Sequence, residues 1–295
     1  MTIKKCGYVG IVGRPNVGKS TLMNHLIGEK VSIISPKPQT TRSQLYGIKT
    51  INDAQIIYID TPGMHSDAPH AMNRYMNRVA DSVLHDANVI IFVIDAKVWR
   101  EEDQMVLEKL KNVEQPVILA INKIDALDDK ALLLPLIEKL SLRAEFKHIV
   151  PISALRDENI DRLQEMIIEL LPESEAIFPE DQLTDKSVRY LTAEIIREKL
   201  IHATEEELPY TTAVEIEQFK EDEKITEISA VIWVERDGQR IIVIGKKGAK
   251  LKKIGIQARR DIEKLLGAKV FLRLWVKVRE HWTDDDKALR SLGYD

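Results

Sequence analysis

Two kinds of hydrophobic pattern alternate along the first 172 residues. Short continuous apolar runs, Tyr8–Val12, Gln55–Asp60, Val89–Asp95, Val117–Asn122 and His148–Ser153, each end on or beside Gly, Asp, Asn or Ser. Between them, Lys19–Ile27, Arg74–His85, Glu101–Val113, Ala131–Leu142 and Ile160–Leu171 place apolar residues three and four apart, which predicts amphipathic helices. Strands that are apolar without alternation suit a parallel sheet buried on both faces. The pattern therefore predicts a doubly wound α/β domain over residues 1–172.

The pattern breaks at Pro172. Residues 173–186 are acidic, contain Pro179 and carry no period, which predicts a linker. A different layout follows. Ser187–His202 reads as a helix and Thr211–Phe219 and Ile225–Glu235 as strands, with a turn at Asp237-Gly238 before the apolar run Ile241–Ile244. Gly248–Leu266 has apolar residues at 251, 254, 258, 262 and 265, a helical stripe, and Lys269–Arg279 alternates as a strand. Residues 187–282 thus form an α+β domain, with 283–295 as a tail.

Composition supports the division. A chain of 295 residues is long enough for two domains, and 44% hydrophobic with 31% charged residues excludes a disordered or fibrous chain. The single cysteine, Cys6, excludes an intrachain disulfide and a cysteine-based metal cluster. The longest apolar runs fall far short of the ~20 residues of a membrane span, and the N-terminus lacks a signal-peptide core. A reducing cytoplasm is the expected location. The net charge of −4 conceals a strong asymmetry: residues 173–227 hold 6 basic and 16 acidic groups (−10), and residues 235–280 hold 14 and 5 (+9).

The chemistry is densest at the end of the first strand. Gly13-Arg14-Pro15-Asn16-Val17-Gly18-Lys19-Ser20 fits G-x-x-x-x-G-K-[ST] between a strand and a helix, the context the motif requires. Gly13 and Gly18 let backbone wrap a phosphate, and the following helix supplies N–H groups and positive potential. Lys19 can reach β- and γ-phosphates, and the Ser20 hydroxyl can ligate Mg²⁺.

Three further motifs follow in consistent order. Asp60-Thr61-Pro62-Gly63 ends a strand, where Asp60 would hold Mg²⁺ through water and the Gly63 N–H would sense a γ-phosphate. Asn122-Lys123-Ile124-Asp125 ends another, where the Asp125 carboxylate can accept from guanine N1–H and N2–H₂ together, donors that adenine lacks. At Ser153-Ala154-Leu155 the Ala154 N–H could meet guanine O6. Each motif alone is weak, but together they specify GTP over ATP. The polar loop 35–43 should supply a threonine to the Mg²⁺ shell, Thr41 first and Thr40 second. Met64 stands where many GTPases carry a water-orienting Gln, and the adjacent His65 reads as structural. Intrinsic hydrolysis should be slow, with help from an arginine finger or from a monovalent cation such as K⁺ near Asn16.

In the second domain, Gly245-Lys246-Lys247-Gly248 is a GXXG loop at the head of an amphipathic helix. Such a loop can clamp single-stranded nucleic acid, its glycines permitting close approach and Lys246, Lys247, Lys250, Lys252 and Lys253 meeting phosphates. One face of the last strand is core. The other, Phe271, Arg273, Trp275, Lys277 and Arg279, could stack bases or pack under a helix.

GRPNVGKST, PQTTR, DTPGMH, NKID and SAL, followed by IGKKGAKLKKIGIQARRDIE and VFLRLWVKV, resemble the Era-like family of bacterial P-loop GTPases over nearly the whole chain. The resemblance implies a Ras-like GTPase domain followed by a type II KH domain. It implies a monomer that hydrolyses GTP slowly with Mg²⁺. It also implies binding to the 3′ end of 16S rRNA and the pre-30S particle, and peripheral contact with the inner membrane. By position, Asn16, Val17, Gly18, Lys19, Ser20 and Thr21 would bind phosphate and Mg²⁺. Thr41 and Asp60–Gly63 would be switch residues, and Asn122, Lys123, Asp125, Ser153 and Ala154 would hold guanine. Gly245–Gly248 and the next helix would form the RNA cleft. The competing reading is a metabolic P-loop enzyme such as a nucleotide kinase, which NKID and the lack of an acceptor site disfavour.

Overall fold

The computed structural model describes residues 3–35, 37, 40–63, 71–204, 208–222 and 224–292. The chain divides into two compact units. The first comprises Met1–Ile34, Thr41–Pro69 and Asn73–Asp185, and the second Ser35–Thr40, His70–Met72 and Lys186–Asp295.

The first unit is an open six-stranded sheet of β1 (Lys5–Val12), β2 (Leu45–Ile51), β3 (Ala54–Asp60), β4 (Val89–Asp95), β5 (Val117–Asn122) and β6 (His148–Pro151). Its order is β2-β3-β1-β4-β5-β6, parallel throughout except for the antiparallel β2–β3 pair. Helices α1 (Lys19–Ile27), α2 (Ala71–Asp86), α3 (Glu101–Leu110), α4 (Leu133–Ser141) and α5 (Ile160–Leu170) occur in the connections between strands and after β6. Every residue of β3 and β5 is buried, which accounts for their unbroken apolar sequence. Because β1, β3, β4, β5 and β6 run the same way, their C-terminal ends share one edge, where an open α/β sheet binds its ligand.

Strand β2 has no counterpart in the sequence pattern. LYGIKTI contains Gly47 and Lys49, and its burial is intermediate along much of its length. It forms because a tight turn at Asn52-Asp53, with Asn52 at φ 52, returns the chain onto β3.

Residues 173–185, expected as a linker, pack on this unit. Backbone bridges join Lys5 to Glu173 and Gly47 to Thr184, and Ile48 N–H donates to Leu183 O at 2.8 Å. The fully buried Gln55 side chain accepts from the N–H groups of Ile177 and Phe178, each at 2.9 Å, and donates to Phe178 O at 2.8 Å. A segment without helical or strand period still carries backbone donors and acceptors, and the open edge of β2 satisfies them.

The second unit contains α6 (Val188–Ala203), β7 (Ala213–Lys220), β8 (Thr226–Val234), α7 (Asp237–Ile244), α8 (Ala249–Leu266), β9 (Val270–Val278) and α9 (Asp286–Ser291). The sheet runs β7-β8-β9, with β7–β8 antiparallel and β8–β9 parallel. Its core joins Ile196 and Leu200 of α6 to Ile228, Ala230 and Ile232 of β8 and Ile254, Ala258 and Ile262 of α8.

Two expectations change here. Asp237-Gly238 is the first turn of α7, not a separate turn, and Ile241–Ile244 completes that helix. The Gln239 side chain accepts from the N–H groups of Glu235 and Arg236, fixing the helix start. Of the four apolar residues only Val243 is buried, and so short a run does not distinguish strand from helix. The tail carries a helix, α9, capped by Asp285, and just before it the fully buried Trp282 donates to Thr211 O at 3.1 Å. Among the described residues, no helix is long and apolar enough to cross a membrane.

Candidate functional site

Residues 13–18 turn from β1 into α1 along a path that two glycines permit. Gly13 has φ +150, and a Cβ there would lie 2.4 Å from Val93 O. Gly18 has φ +101, and its Cβ would strike the Asn122 amide nitrogen at 2.4 Å. That nitrogen donates to Val17 O at 2.7 Å, so a side chain at 18 would break a buried bond worth about 1–3 kcal/mol when left unmade. Lys19 is buried, its Nζ donating to Gly13 O at 2.9 Å and Arg14 O at 3.0 Å. Burial pushes its ammonium down to about 8, with the Asp60 charge opposing. Thr21 follows, half-buried, in the first turn of α1.

Asp60, at the end of β3, is fully buried. Its Oδ2 accepts from Ser20 Oγ (2.7 Å), Ser32 Oγ (2.8 Å) and Thr41 Oγ1 (3.2 Å), while Oδ1 is buried without a hydrogen-bond partner among the described residues. Desolvation raises the Asp60 pKa, against those hydroxyls and the Lys19 charge. Ser20 Oγ and Thr41 Oγ1 lie 2.9 Å apart. Oxygen-only donors around an orphaned carboxylate oxygen fit a hard divalent cation. Thr40 lies outside this group, its hydroxyl bound to Lys37 O at 2.7 Å. A Cβ on Gly63 would lie 2.7 Å from Pro15 N, so the DTPG segment sits directly on the phosphate loop. Met64 and His65 lie outside the described residues.

The third and fourth motifs lock onto the first. Asn122 Oδ1 accepts from Ala154 N–H (2.9 Å) and Lys123 N–H (2.8 Å). Lys123 has left-handed backbone (φ 66), and its Nζ reaches Asn16 O at 2.7 Å and Asp95 Oδ2 at 2.8 Å. Ser153 Oγ donates to Asp125 Oδ1 at 2.5 Å, orienting the carboxylate. Four motifs spread over some 140 residues of sequence therefore meet at one sheet edge.

Sequence reasoning missed several members. Ser32 shares Asp60, and Asn24 fixes Ser32 by accepting from its N–H at 2.9 Å and donating to its carbonyl at 2.7 Å. Asp95 pairs with Lys123; an acid closing an apolar strand was the available signal. Asp103, within the acidic run 101–103, pairs with Arg14 and carried no signal.

In the second unit, Gly245 (φ 72), Lys247 (φ 51) and Gly248 (φ 76) form a sharp turn between α7 and α8, with Lys246 and Lys247 exposed. A groove of about 400 Å³ lies between α8 (Leu251, Lys252, Gly255, Ile256, Arg259) and β9 (Phe271, Leu272, Leu274). Lys252 lines this groove. Lys253, expected beside it, instead lines a groove on the opposite flank of α8 with Lys199, His202, Arg260 and Lys264, because adjacent helical positions point about 100° apart. Lys250 packs beneath the turn, where a Cβ on Gly245 would meet its Cβ at 2.7 Å. The outer row of β9 is open rather than packed under a helix: Phe271 is 47% and Trp275 42% exposed, and Arg273 lies 4.9 Å over the Phe271 ring.

A G-x-x-x-x-G-K-S loop joined by hydrogen bonds to the NKID loop, and through it to the SAL loop, on a chain that continues into a GXXG unit, defines the class: a P-loop GTPase with an appended KH-type domain. Family models agree. Residues 8–123 match one described as 50S ribosome-binding GTPase, and residues 207–283 match one described as KH domain. The chain is 54% identical to GTPase Era of Marinobacter nauticus over 289 residues (98% of this chain, 95% of the relative) and 54% identical to GTPase Era of Ectopseudomonas mendocina over 292 residues (99% and 98%). A crystal structure of Era in complex with MgGDPNP and nucleotides 1506–1542 of 16S ribosomal RNA matches with a TM-score of 0.96 at 45% identity, covering 99% of both chains. An Aquifex aeolicus Era variant bound to GDP·AlF4⁻ matches at 0.95 and 45%, covering 98% of this chain and 99% of that one. The chain belongs to the Era family of GTPases.

Proposed function

We propose that this GTPase is a GTP-controlled RNA-binding switch that engages the 3′ end of 16S rRNA and acts in assembly of the 30S subunit. The observation that carries the reading is the pairing on one chain of a guanine-type carboxylate, held by Ser153, with a separate GXXG groove. The related Era structure containing MgGDPNP and a 16S rRNA segment supports both halves.

In this reading Ser20, Thr41 and Asp60 hold Mg²⁺, which neutralises charge on the phosphates when bound. Lys19 leaves its two carbonyl partners for the β- and γ-phosphates. Asp125 and the Ala154 N–H recognise guanine, and Asn122 and Lys123 fix the loop that presents them. The Gly63 N–H reports the γ-phosphate. The order of the switch loops then sets RNA affinity in the groove opened by Gly245–Gly248. Asn16 is the residue nearest to hand for a K⁺ that accelerates hydrolysis. The protein would work as a cytoplasmic monomer on pre-30S particles, with peripheral inner-membrane contact.

The test is RNA binding to a fragment of the 16S 3′ end in the presence of GDP or a non-hydrolysable GTP analogue. Tighter binding with the analogue is expected. Equal affinity in both states would overturn the switch, and unchanged affinity in Gly245→Asp/Gly248→Asp would overturn the groove. Equal turnover in K⁺ and Na⁺ would remove the monovalent cation.

A further inference from the structure

Arg14, the second residue of the phosphate loop, does not offer its charge freely to a phosphate. Its guanidinium is buried against Asp103 at the start of α3, Nε to Oδ2 at 2.9 Å, with side-chain exposures of 7% and 0%. The other guanidinium nitrogens donate to Val98 O (3.2 Å) and Pro15 O (3.3 Å). Asp103 Oδ2 also accepts from Arg100 N–H at 2.8 Å, and Oδ1 is buried without a hydrogen-bond partner among the described residues. The pair is neutral, so its contribution to a phosphate site is geometric rather than a matter of potential.

That geometry converges on one stretch. The connection from β4 to α3 begins at Asp95 and ends in the first turn of α3 at Asp103. Asp95 holds Lys123, whose Nζ also grips Asn16 O. Asp103 holds Arg14, which grips Pro15 O and whose own carbonyl receives Lys19 Nζ. Residues 14–16 are therefore pinned from both ends of one connection. Pro15 is also the residue on which Gly63 rests. The backbone of 17–20, by contrast, is held by α1 and Asn122.

We propose that Arg14 and Asp103 are positioning residues for GTP hydrolysis: a buried strut that fixes Arg14–Asn16, and through Pro15 the segment at Gly63, at the γ-phosphate end of the site. The proposal rests on the assignment of Gly63 to the γ-phosphate. A buried ion pair can often be exchanged for apolar residues without loss of stability, which separates its structural role from its positioning role.

The experiment uses the full chain with Mg²⁺ and compares Arg14→Met, Asp103→Leu and the double variant in thermal midpoint, affinity for a fluorescent GDP, and GTP turnover. Each single variant strands a buried charge and should melt lower, and the double should recover the wild-type midpoint. In the double, kcat should stay down about tenfold or more while GDP affinity remains within about threefold of wild type. Recovery of both midpoint and turnover would overturn the proposal, leaving the pair merely structural. Parallel loss of GDP affinity and turnover would overturn it too, because the strut would then support the whole site. Arg14→Lys serves if the double fails to fold: it keeps the charge but not the fork, so kcat should fall severalfold at unchanged GDP affinity. Wild-type turnover in Arg14→Lys would sink the idea. If no variant changes turnover but Gly63→Ala does, the strut fails while the γ-phosphate assignment stands.

Discussion

The proposed guanine-nucleotide site and the proposed RNA groove hold their polar groups in opposite ways. In the first, Asp60, Asn122 and Ser153 are almost wholly buried, and most of their polar atoms are hydrogen-bonded within the site. In the second, the side chains of Lys246, Lys247, Lys250, Lys252 and Arg259 have no ion-pair or hydrogen-bond partner among the described residues. A prebuilt buried network discriminates strongly, because a wrong ligand leaves desolvated groups unpaired. Unpaired surface cations attract any phosphate backbone and release counterions, which gives affinity that salt weakens. In the proposed reading, selectivity for the base and adhesion to the strand are thus divided between the two units.

The sharpest way to break this contrast is at the base. Asp125→Asn replaces an acceptor with a donor and should invert preference from GTP toward xanthosine triphosphate. The ratio of affinities should shift by about 10⁴, measured by competition against a fluorescent nucleotide. Retained GTP selectivity would place the base elsewhere. Next in size, Gly245→Asp/Gly248→Asp should weaken RNA binding by about 10²-fold by adding repulsion and bulk where the backbone must approach. Turnover without RNA should not change. Within the first site, Thr41→Ala should lower turnover about tenfold or more and raise the Mg²⁺ requirement, whereas Thr40→Ala should do neither. An equal effect of both would erase the distinction that the hydroxyl contacts draw. The smallest effect sharpens the second site. Lys252→Gln should reduce the salt slope of RNA binding by about 0.7, and Lys253→Gln, on the other flank of α8, should leave it nearly unaltered.

What could be read in advance follows the same division. The parallel strands of the first unit were legible because burial on both faces leaves an unbroken apolar record, and the phosphate and guanine motifs because their chemistry admits few residue types. Strand β2 was not, since an edge strand with Gly47 and Lys49 owes its form to its partner rather than to its own pattern. Helix α7 was hidden by its short apolar run, of which only Val243 is core. Arg14 was visible in its motif, but Asp103 lies 89 positions away in an ordinary acidic helix start, and nothing local marks it as a partner. Lys252 and Lys253 share a basic cluster, and only the helical turn sends them to different grooves.

Gln55 and residues 173–185 bear on where the chain can be cut. A GTPase fragment ending at Pro172 would lose the strand-like partner of β2 and strand the buried Gln55 amide, leaving an open edge on which another copy could stack. A fragment ending at Asp185 keeps that edge covered. The segment that joins the two units is also the selvedge of the first one's sheet, and its loss should show as aggregation before it shows as lost nucleotide binding.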